Sequence, residues 1–261
     1  MDALMRLAIA AGIFGLMVGL EALLPKRPVP DRLRRWPINL GLAALNMAVL
    51  RVSVGGLAYS AALYAQAAGL GLLQVVPLGQ GWAVAASVLL LDCAIYWQHV
   101  ASHRYPLLWR LHQVHHSDLL VDATTAVRFH PLEILLSMLY KSLCIILIGA
   151  EPLAVVAFEV LLNGAATFNH SNIQLPDGLE RRLRWWLITP DLHRIHHSVL
   201  IAETNSNYGF AIPLWDKLFK TYKSHSQQPQ ATMPIGLAAH RNPQALGFLR
   251  LLQWPVRPLP D

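Results

Sequence analysis

Histidines at helical spacing are the residues whose type and order could do chemistry in this chain. His99 and His103 form H-x-x-x-H, His112, His115 and His116 form H-x-x-H-H, and the second pattern returns at His193, His196 and His197. Residues three and four apart share one face of a helix, so each group presents its imidazoles together. A single histidine in an apolar chain is ordinarily a core or surface residue. Eight of twelve histidines in three such groups is a different matter, because that many imidazoles exceed one mononuclear site and suit a pair of metal ions.

Neutral imidazole is a ligand for zinc, copper, iron or nickel. The H-E-x-x-H pattern of metalloproteases is absent, as are the E-x-x-H pairs of soluble carboxylate di-iron bundles. A haem held by two histidines needs one on each side of the ring, not clusters at spacings of three and one. The donor set that remains is an all-nitrogen dimetal centre.

Apolar helices must position it. The 261 residues are 54% hydrophobic and 14% charged, far from the roughly 25% charged of soluble domains, and the mean hydropathy is +0.39. The apolar residues come in blocks, which makes this an all-α integral membrane protein with about four to five transmembrane or hairpin helices. Cys93 and Cys144 sit inside blocks without a C-x-x-C pair, as small core residues. Leu4 to Leu24 is too long for a signal-peptide apolar region and is expected to be a retained membrane helix. The basic segment Pro25 to Trp36 follows, and such clusters stay in the cytoplasm. Ile38 to Ala68 is a second apolar block. Asn39 and Asn46 within it are expected to hydrogen-bond neighbouring helices, and Gly69 to Gly81 to form a loop on the far side. Trp82 to Trp97 is the third block and delivers His99 and His103 to its cytoplasmic end. Asp92 lies two turns up the same face, as a possible metal or supporting residue for a ligand imidazole or an interhelical hydrogen bond. Leu132 to Ala150 and Leu153 to Phe168 read as a hairpin, with Lys141 turned to the interior or snorkelling. Arg181, Arg182 and Arg184 then return the chain to the cytoplasm. Lysine and arginine placement alone therefore puts all three histidine groups at one membrane face, in a helical cap. The expected organisation is an N-terminal membrane part at 1–80, a catalytic part at 81–223 and a polar tail at 224–261. In that tail Ser224 to Pro243 is a linker and Gln244 to Trp254 a short helix on the membrane.

The order of the three boxes on an apolar helical scaffold resembles the fatty acid hydroxylase and sterol desaturase superfamily. The likeness extends beyond the histidines. Arg128-Phe129-His130-Pro131-Leu132-Glu133 resembles the family's segment after the second box, and Phe168-Asn169-His170-Ser171 its lone histidine. Thr189-Pro190-Asp191-Leu192-His193 resembles the lead-in to the third box. Asn207-Tyr208-Gly209 with Trp215-Asp216-Lys217-Leu218-Phe219 resembles its closing motif. Lys220 departs from the glycine common there, beyond the ligands.

The resemblance implies that His99, His103, His112, His115, His116, His170, His193, His196 and His197 hold two iron ions, with His130 as a ligand or a supporting residue. It implies that dioxygen and two external electrons are used to attack a C–H bond of a lipid, giving an alcohol or an alkene. Tyr208, Trp185 and Trp186 are candidates for the mouth of the lipid slot. An external electron-transfer protein is implied, and the basic run at Arg181 to Arg184 could draw an acidic one or anionic lipid. No nucleic acid partner is expected. The expected setting is a bacterial inner membrane with the site on its cytoplasmic side. Two other functions use the same histidines: a membrane metal transporter and a haem-binding electron-transfer subunit. His225 and His240 lie outside the boxes and are expected to be surface residues.

Overall fold

The computed structural model describes residues 3–54 and 56–257. Among these, β structure amounts to two isolated antiparallel bridges, Pro25 with Ile173 and Ser198 with Ile235; the regular elements are helices. In chain order they are α1 (Ala3–Leu23), α2 (Arg32–Ser53), α3 (Leu57–Ala68), α4 (Leu72–Val75), α5 (Gln80–Arg104), α6 (Pro106–His116), α7 (Pro131–Ile148), α8 (Pro152–Asn169), α9 (Asp177–Leu183), α10 (Pro190–His196), α11 (Ile201–Thr204), α12 (Leu214–Leu218) and α13 (Phe248–Gln253). Among the described residues four helical stretches are long and apolar enough to cross a membrane, namely Arg32–Val75, Gln80–Arg104, Pro131–Ile148 and Pro152–Asn169, and the apolar part of α1, Ala8–Leu23, is shorter.

The second apolar block is not one rod. It divides after Ser53, and Gly56 takes a positive φ of 77° to start α3 afresh. Small residues then let α3 lie close to α7, since Ala58, Ala61, Ala62 and Ala65 are buried along one stripe, the packing device of membrane helices. At the end away from the histidines, Gly71 sits so near Gly149 that a Cβ on it would meet the Gly149 nitrogen at 2.2 Å. That approach needs glycine. Gly149 also closes α7 in the left-handed region, and Pro152 opens α8, so the hairpin turn follows from the two residues best suited to stop and start a helix. Lys141 faces the interior of this hairpin and meets Glu159 at 2.7 Å, a partner that the hydropathy pattern did not indicate.

Proline also opens the helices of the site other than α5. Tyr105 is extended, as a residue before proline prefers, and Pro106 starts α6 directly after α5 ends. The sharp turn brings the second histidine box back beside the first. Pro131, Pro152 and Pro190 open α7, α8 and α10 in the same way.

Two expectations are corrected by the packing. Asn39 and Asn46 do not join helices in the bilayer. They bond the loop after α6, with Asn39 Nδ2 donating to Asp118 and Thr124 and Asn46 Nδ2 to the Phe129 carbonyl. The expected short helix of the tail is present as α13, but the tail as a whole is packed against the core and not a loose linker. Met233 and Ile235 pack with Val121, and Leu246, Leu251 and Trp254 pack with Leu42 of α2 and Val114 of α6. Its backbone is tied down as well, because the Gly236 N–H donates to the His197 carbonyl at 3.0 Å.

Candidate metal centre

Nine histidines converge in two groups. His99 and His103 from α5, His112 and His116 from α6 and His196 from α10 form one; His115 from α6, His170 at the end of α8, and His193 and His197 from α10 form the other. Within each group the ligand atoms lie within 4.8 Å of one another. The groups adjoin, with the His116 and His197 rings stacked at 4.5 Å between centroids. All nine belong to the boxes or to the lone-histidine segment, so residues far apart in sequence share one site.

The hydrogen bonds fix which nitrogen faces inward. A neutral imidazole that donates from Nδ1 carries its lone pair on Nε2. His99 Nδ1–H donates to the Tyr208 carbonyl at 2.7 Å, His196 to Ser206 at 2.8 Å and His170 to Ala166 at 2.7 Å. His112 donates to Glu133 Oε1 at 2.6 Å and His115 to the Arg128 carbonyl at 3.3 Å. Among the described residues the second nitrogens of His99, His112 and His196 are buried without a partner, as are both nitrogens of His103, His116 and His197. Most telling is the contact between acceptors. His115 Nε2 and His170 Nε2 lie 3.1 Å apart, and His170 Nε2 lies 3.0 Å from His193 Nε2. Since His115 and His170 both spend their protons on carbonyls, two lone pairs face each other, which only an intervening cation relieves. Two nitrogens bound at right angles to one ion at about 2.1 Å would be about 3.0 Å apart. The residues fit a metal.

Burial keeps these rings neutral. It holds His115, His116, His193 and His197 well below the ordinary imidazole value, and takes His170 to about 4 and His196 to about 3. In each case desolvation comes first and the neighbouring imidazoles add to it for most. Neutral imidazole is the form that binds metal.

A second layer of polar residues positions the rings. Asp216 is fully buried and accepts the backbone N–H groups of Tyr208 and Gly209, each at 2.8 Å, and the Thr221 hydroxyl. A Cβ on Gly209 would meet Ile212 O at 2.7 Å and Asp216 Oδ2 at 2.8 Å. The closing motif is therefore a clamp that aims the Tyr208 carbonyl at His99. On the other flank, Arg35 of α2 grips Asp118 with two nitrogens and Asp122 with a third. Burial would raise the Asp118 carboxyl, but the Arg35 guanidinium more than offsets it and holds it well below the carboxylate range. Arg128 completes the loop, donating to the Val114 carbonyl, Asn39 and Ser117. Glu21 of α1 ties two more strands of chain by accepting from the Ala123 and Asn172 N–H groups. Arg35, Glu133, Asp216 and Glu21 were not singled out as site supports from sequence, and only the motif that frames Glu133 and Asp216 gave any signal.

Of the roles expected for Asp92 the structure shows the interhelical hydrogen bond, and His130 sits away from the two histidine groups. Asp92 accepts the Trp215 indole N–H at 2.8 Å and so ties α12 to α5, while the imidazole it was expected to support uses the Tyr208 carbonyl. His130 caps α7 by accepting the Leu132 N–H on Nδ1, and its Nε2 meets the Leu252 carbonyl at 3.1 Å. Both its nitrogens are committed away from the two groups. Tyr208 is buried against the His103 ring, whereas Trp185 and Trp186 are exposed. His225 is exposed, and the His240 ring packs on Trp254.

Cavities among the described residues reach the histidines at His99, His112 and His103, and an apolar groove adjoins one of them. One of about 150 Å³ lies between α5, α7 and α8 and is walled by His99, His112, Phe129, Glu133 and Phe210. An apolar groove of about 780 Å³ runs along α5 and α8 past Val88, Leu89, Phe158 and Phe168, and shares Leu162 with the first. A third, of about 360 Å³, reaches His103 between α6 and the 236–240 segment.

Comparison with known proteins agrees with this geometry. The chain is 32% identical over 179 residues to an ornithine lipid hydroxylase of Rhizobium tropici, covering 66% of this chain and 50% of that protein. It is 29% identical over 154 residues to alkylglycerol monooxygenase of Homo sapiens, covering 59% of this chain and 33% of the other. A cholesterol 25-hydroxylase-like protein of Danio rerio is 29% identical over 154 residues, at 58% and 57% coverage. The chain thus spans half or less of the length of the first two. No solved structure matches. The sequence profile described as fatty acid hydroxylase matches residues 84–221, which contain all nine converging histidines, and the chain belongs to the fatty acid hydroxylase family.

Proposed function

We propose that this chain is a membrane-embedded di-iron oxygenase that hydroxylates a C–H bond of a lipid, with desaturation as the related outcome. Dioxygen is the co-substrate and a separate protein supplies the electrons. The observation that carries the reading is the facing of the His115 and His170 Nε2 lone pairs at 3.1 Å, their protons given to carbonyls, with His193 Nε2 3.0 Å from His170 Nε2. The nine histidines would hold two iron ions, His99, His103, His112, His116 and His196 on one and His115, His170, His193 and His197 on the other. The lipid hydroxylases and monooxygenases among its relatives support the substrate class.

Bound iron supplies the redox chemistry that turns dioxygen on an unactivated C–H bond. The chain does the rest. Carbonyls of Tyr208, Ser206, Ala166 and Arg128 hold the ring protons on Nδ1, so the inward nitrogens stay available. Glu133 draws on the His112 proton and raises the donor strength of that ring. Burial of the whole shell excludes bulk water from a reactive centre. The cavity at His99 and His112 lies among membrane-length helices, where a lipid chain reaches it without leaving hydrocarbon. Lysine and arginine placement supports a site under the cytoplasmic leaflet. Arg181 and Arg182 are exposed for an acidic donor protein, while Arg184 is engaged by Glu180.

The test is a pair of measurements. Protein purified from membranes is analysed for metal, and lipids of a host expressing wild type or His115→Ala are compared under aerobic growth. The expected result is iron in the wild type and a lipid gaining one oxygen, both lost in the variant. Identical lipid profiles would end the oxygenase reading, and bound zinc without oxygen uptake would favour a metal-handling protein.

A further inference from the structure

The small cavity beside His99 and His112 carries two polar groups that holding a metal does not use. Glu133 gives Oε1 to the His112 Nδ1–H, while its Oε2 is buried and lacks a partner among the described residues. Across the same cavity, Gln98 of α5 accepts the Ser137 hydroxyl on Oε1 at 3.3 Å, and its Nε2 amide makes no hydrogen bond to the described residues. Buried acceptors left unmet are rare in folded proteins and mark a missing partner. The cavity thus offers an acceptor from α7 and a donor from α5 next to two inward-facing imidazoles.

The rest of the lining limits what can sit there. Ile95, Ile134, Leu162, Phe129 and Phe210 are apolar, and no lysine or arginine lines the cavity. A charged anionic head group would find no cation and would face the Glu133 carboxylate. About 150 Å³ admits a small polar group with a few carbons, and the neighbouring apolar groove that shares Leu162 takes a hydrocarbon chain.

We propose that Glu133 Oε2 and Gln98 Nε2 together recognise an uncharged hydrogen-bond donor on the lipid, a secondary amide or a hydroxyl, placed beside the carbon that is attacked. The inference rests on the oxygenase reading and sharpens it. The reaction then falls near the polar end of a chain and not near its methyl end. Both residues are positioning residues, and Glu133 performs this task with the oxygen that His112 leaves free.

Binding of defined probes tests it. The full-length, iron-loaded protein in nanodiscs is kept anaerobic. It is titrated with a long-chain N-methyl amide and the matching methyl ester, then with a long-chain alcohol and its methyl ether. Wild type should bind the donor-bearing member of each pair about tenfold more tightly. Glu133→Gln retains a carbonyl for the His112 N–H but turns the free oxygen into an N–H donor. It should erase the preference in the protein that retains its iron. Gln98→Leu should weaken the amide and the alcohol and leave Glu133 in place. Equal binding of both members by wild type overturns the proposal, as does a preference that survives in Glu133→Gln. Because Glu133 also orients His112, some iron loss in Glu133→Gln is expected and binding is compared per iron retained; Gln98→Leu, which touches no ligand imidazole, serves as the variant with full iron. Failure of the oxygenase reading shows separately, as no oxygen-dependent product from any probe.

Discussion

Asp216 accepts the Tyr208 backbone N–H at 2.8 Å, and the carbonyl of that same Tyr208 accepts the His99 Nδ1–H at 2.7 Å. A carboxylate on the short helix α12 thereby decides which nitrogen of a histidine on α5 faces inward. Asp216→Asn keeps one acceptor oxygen but sets an NH2 against the Tyr208 or Gly209 N–H. The expected outcome is a 10- to 100-fold loss of iron affinity, the usual cost of disturbing a residue that orients a ligand. Iron retained after competition with a chelator measures it. Affinity equal to wild type would show that the ring is oriented without the clamp.

His130 and His170 make a paired test of what the resemblance alone could not separate. His170 Nε2 touches two other imidazole nitrogens, while His130 caps α7 and reaches the Leu252 carbonyl. His170→Ala should lose iron from the purified protein. His130→Ala should keep its iron and lose about 1 kcal/mol of stability, the scale of a helix cap. Thermal unfolding beside metal analysis distinguishes them, and iron loss in His130→Ala would return it to the ligand set.

The boxes were legible because helical spacing is local, and the helix ends because Pro131, Pro152 and Gly149 act within a turn of themselves. His170 was legible only through the motif around it, since one histidine carries no spacing. The supports were not legible in that way. Arg35 reads as one of several topology-setting cations, yet its partner Asp118 is 83 residues away and both are buried. The tail reads as polar linker because Met233, Ile235, Leu246 and Leu251 are too sparse to make a period. Their burial depends on a surface formed by α2, α6 and the loop after α6, which no local pattern describes.

Arg35 provides a test of that hidden layer. Its guanidinium meets Asp118 at 2.6 Å and Asp122 at 2.7 Å. Arg35→Met fills similar space but removes the guanidinium that pairs both buried carboxylates, leaving Asp122 unpaired and only Arg128 near Asp118. Breaking a buried pair from one side costs about 3–5 kcal/mol, so the variant should unfold at markedly lower temperature or denaturant. Arg35→Lys should recover only part, since an ammonium cannot grip both carboxylates in the guanidinium geometry. Stability of Arg35→Met matching wild type would show that the loop is held by other contacts.

Acid should act on the metal-free protein before it acts on the ion pairs. Burial takes His170 to about 4 and His196 to about 3, from 6.5. Between those values the unfolded chain binds protons that the folded chain refuses. Stability is then fully present above the unfolded value, and falls as pH drops from about 6.5 toward 4 and 3. A shift of this size at one ring corresponds to a few kcal/mol. Asp118 adds its own loss only below the ordinary carboxylate value of 3.8, because its carboxyl is held lower still. Iron shifts the balance further, since bound ligands exclude protons and acid must displace the metal to reach them. The unfolding midpoint of chelated protein should therefore fall between about pH 6.5 and 4.5, while that of iron-loaded protein stays higher until iron is released. A flat midpoint for the chelated protein across that window would mean that the rings are not held neutral in a closed shell, and the packed two-group centre would have to be redrawn as an open one.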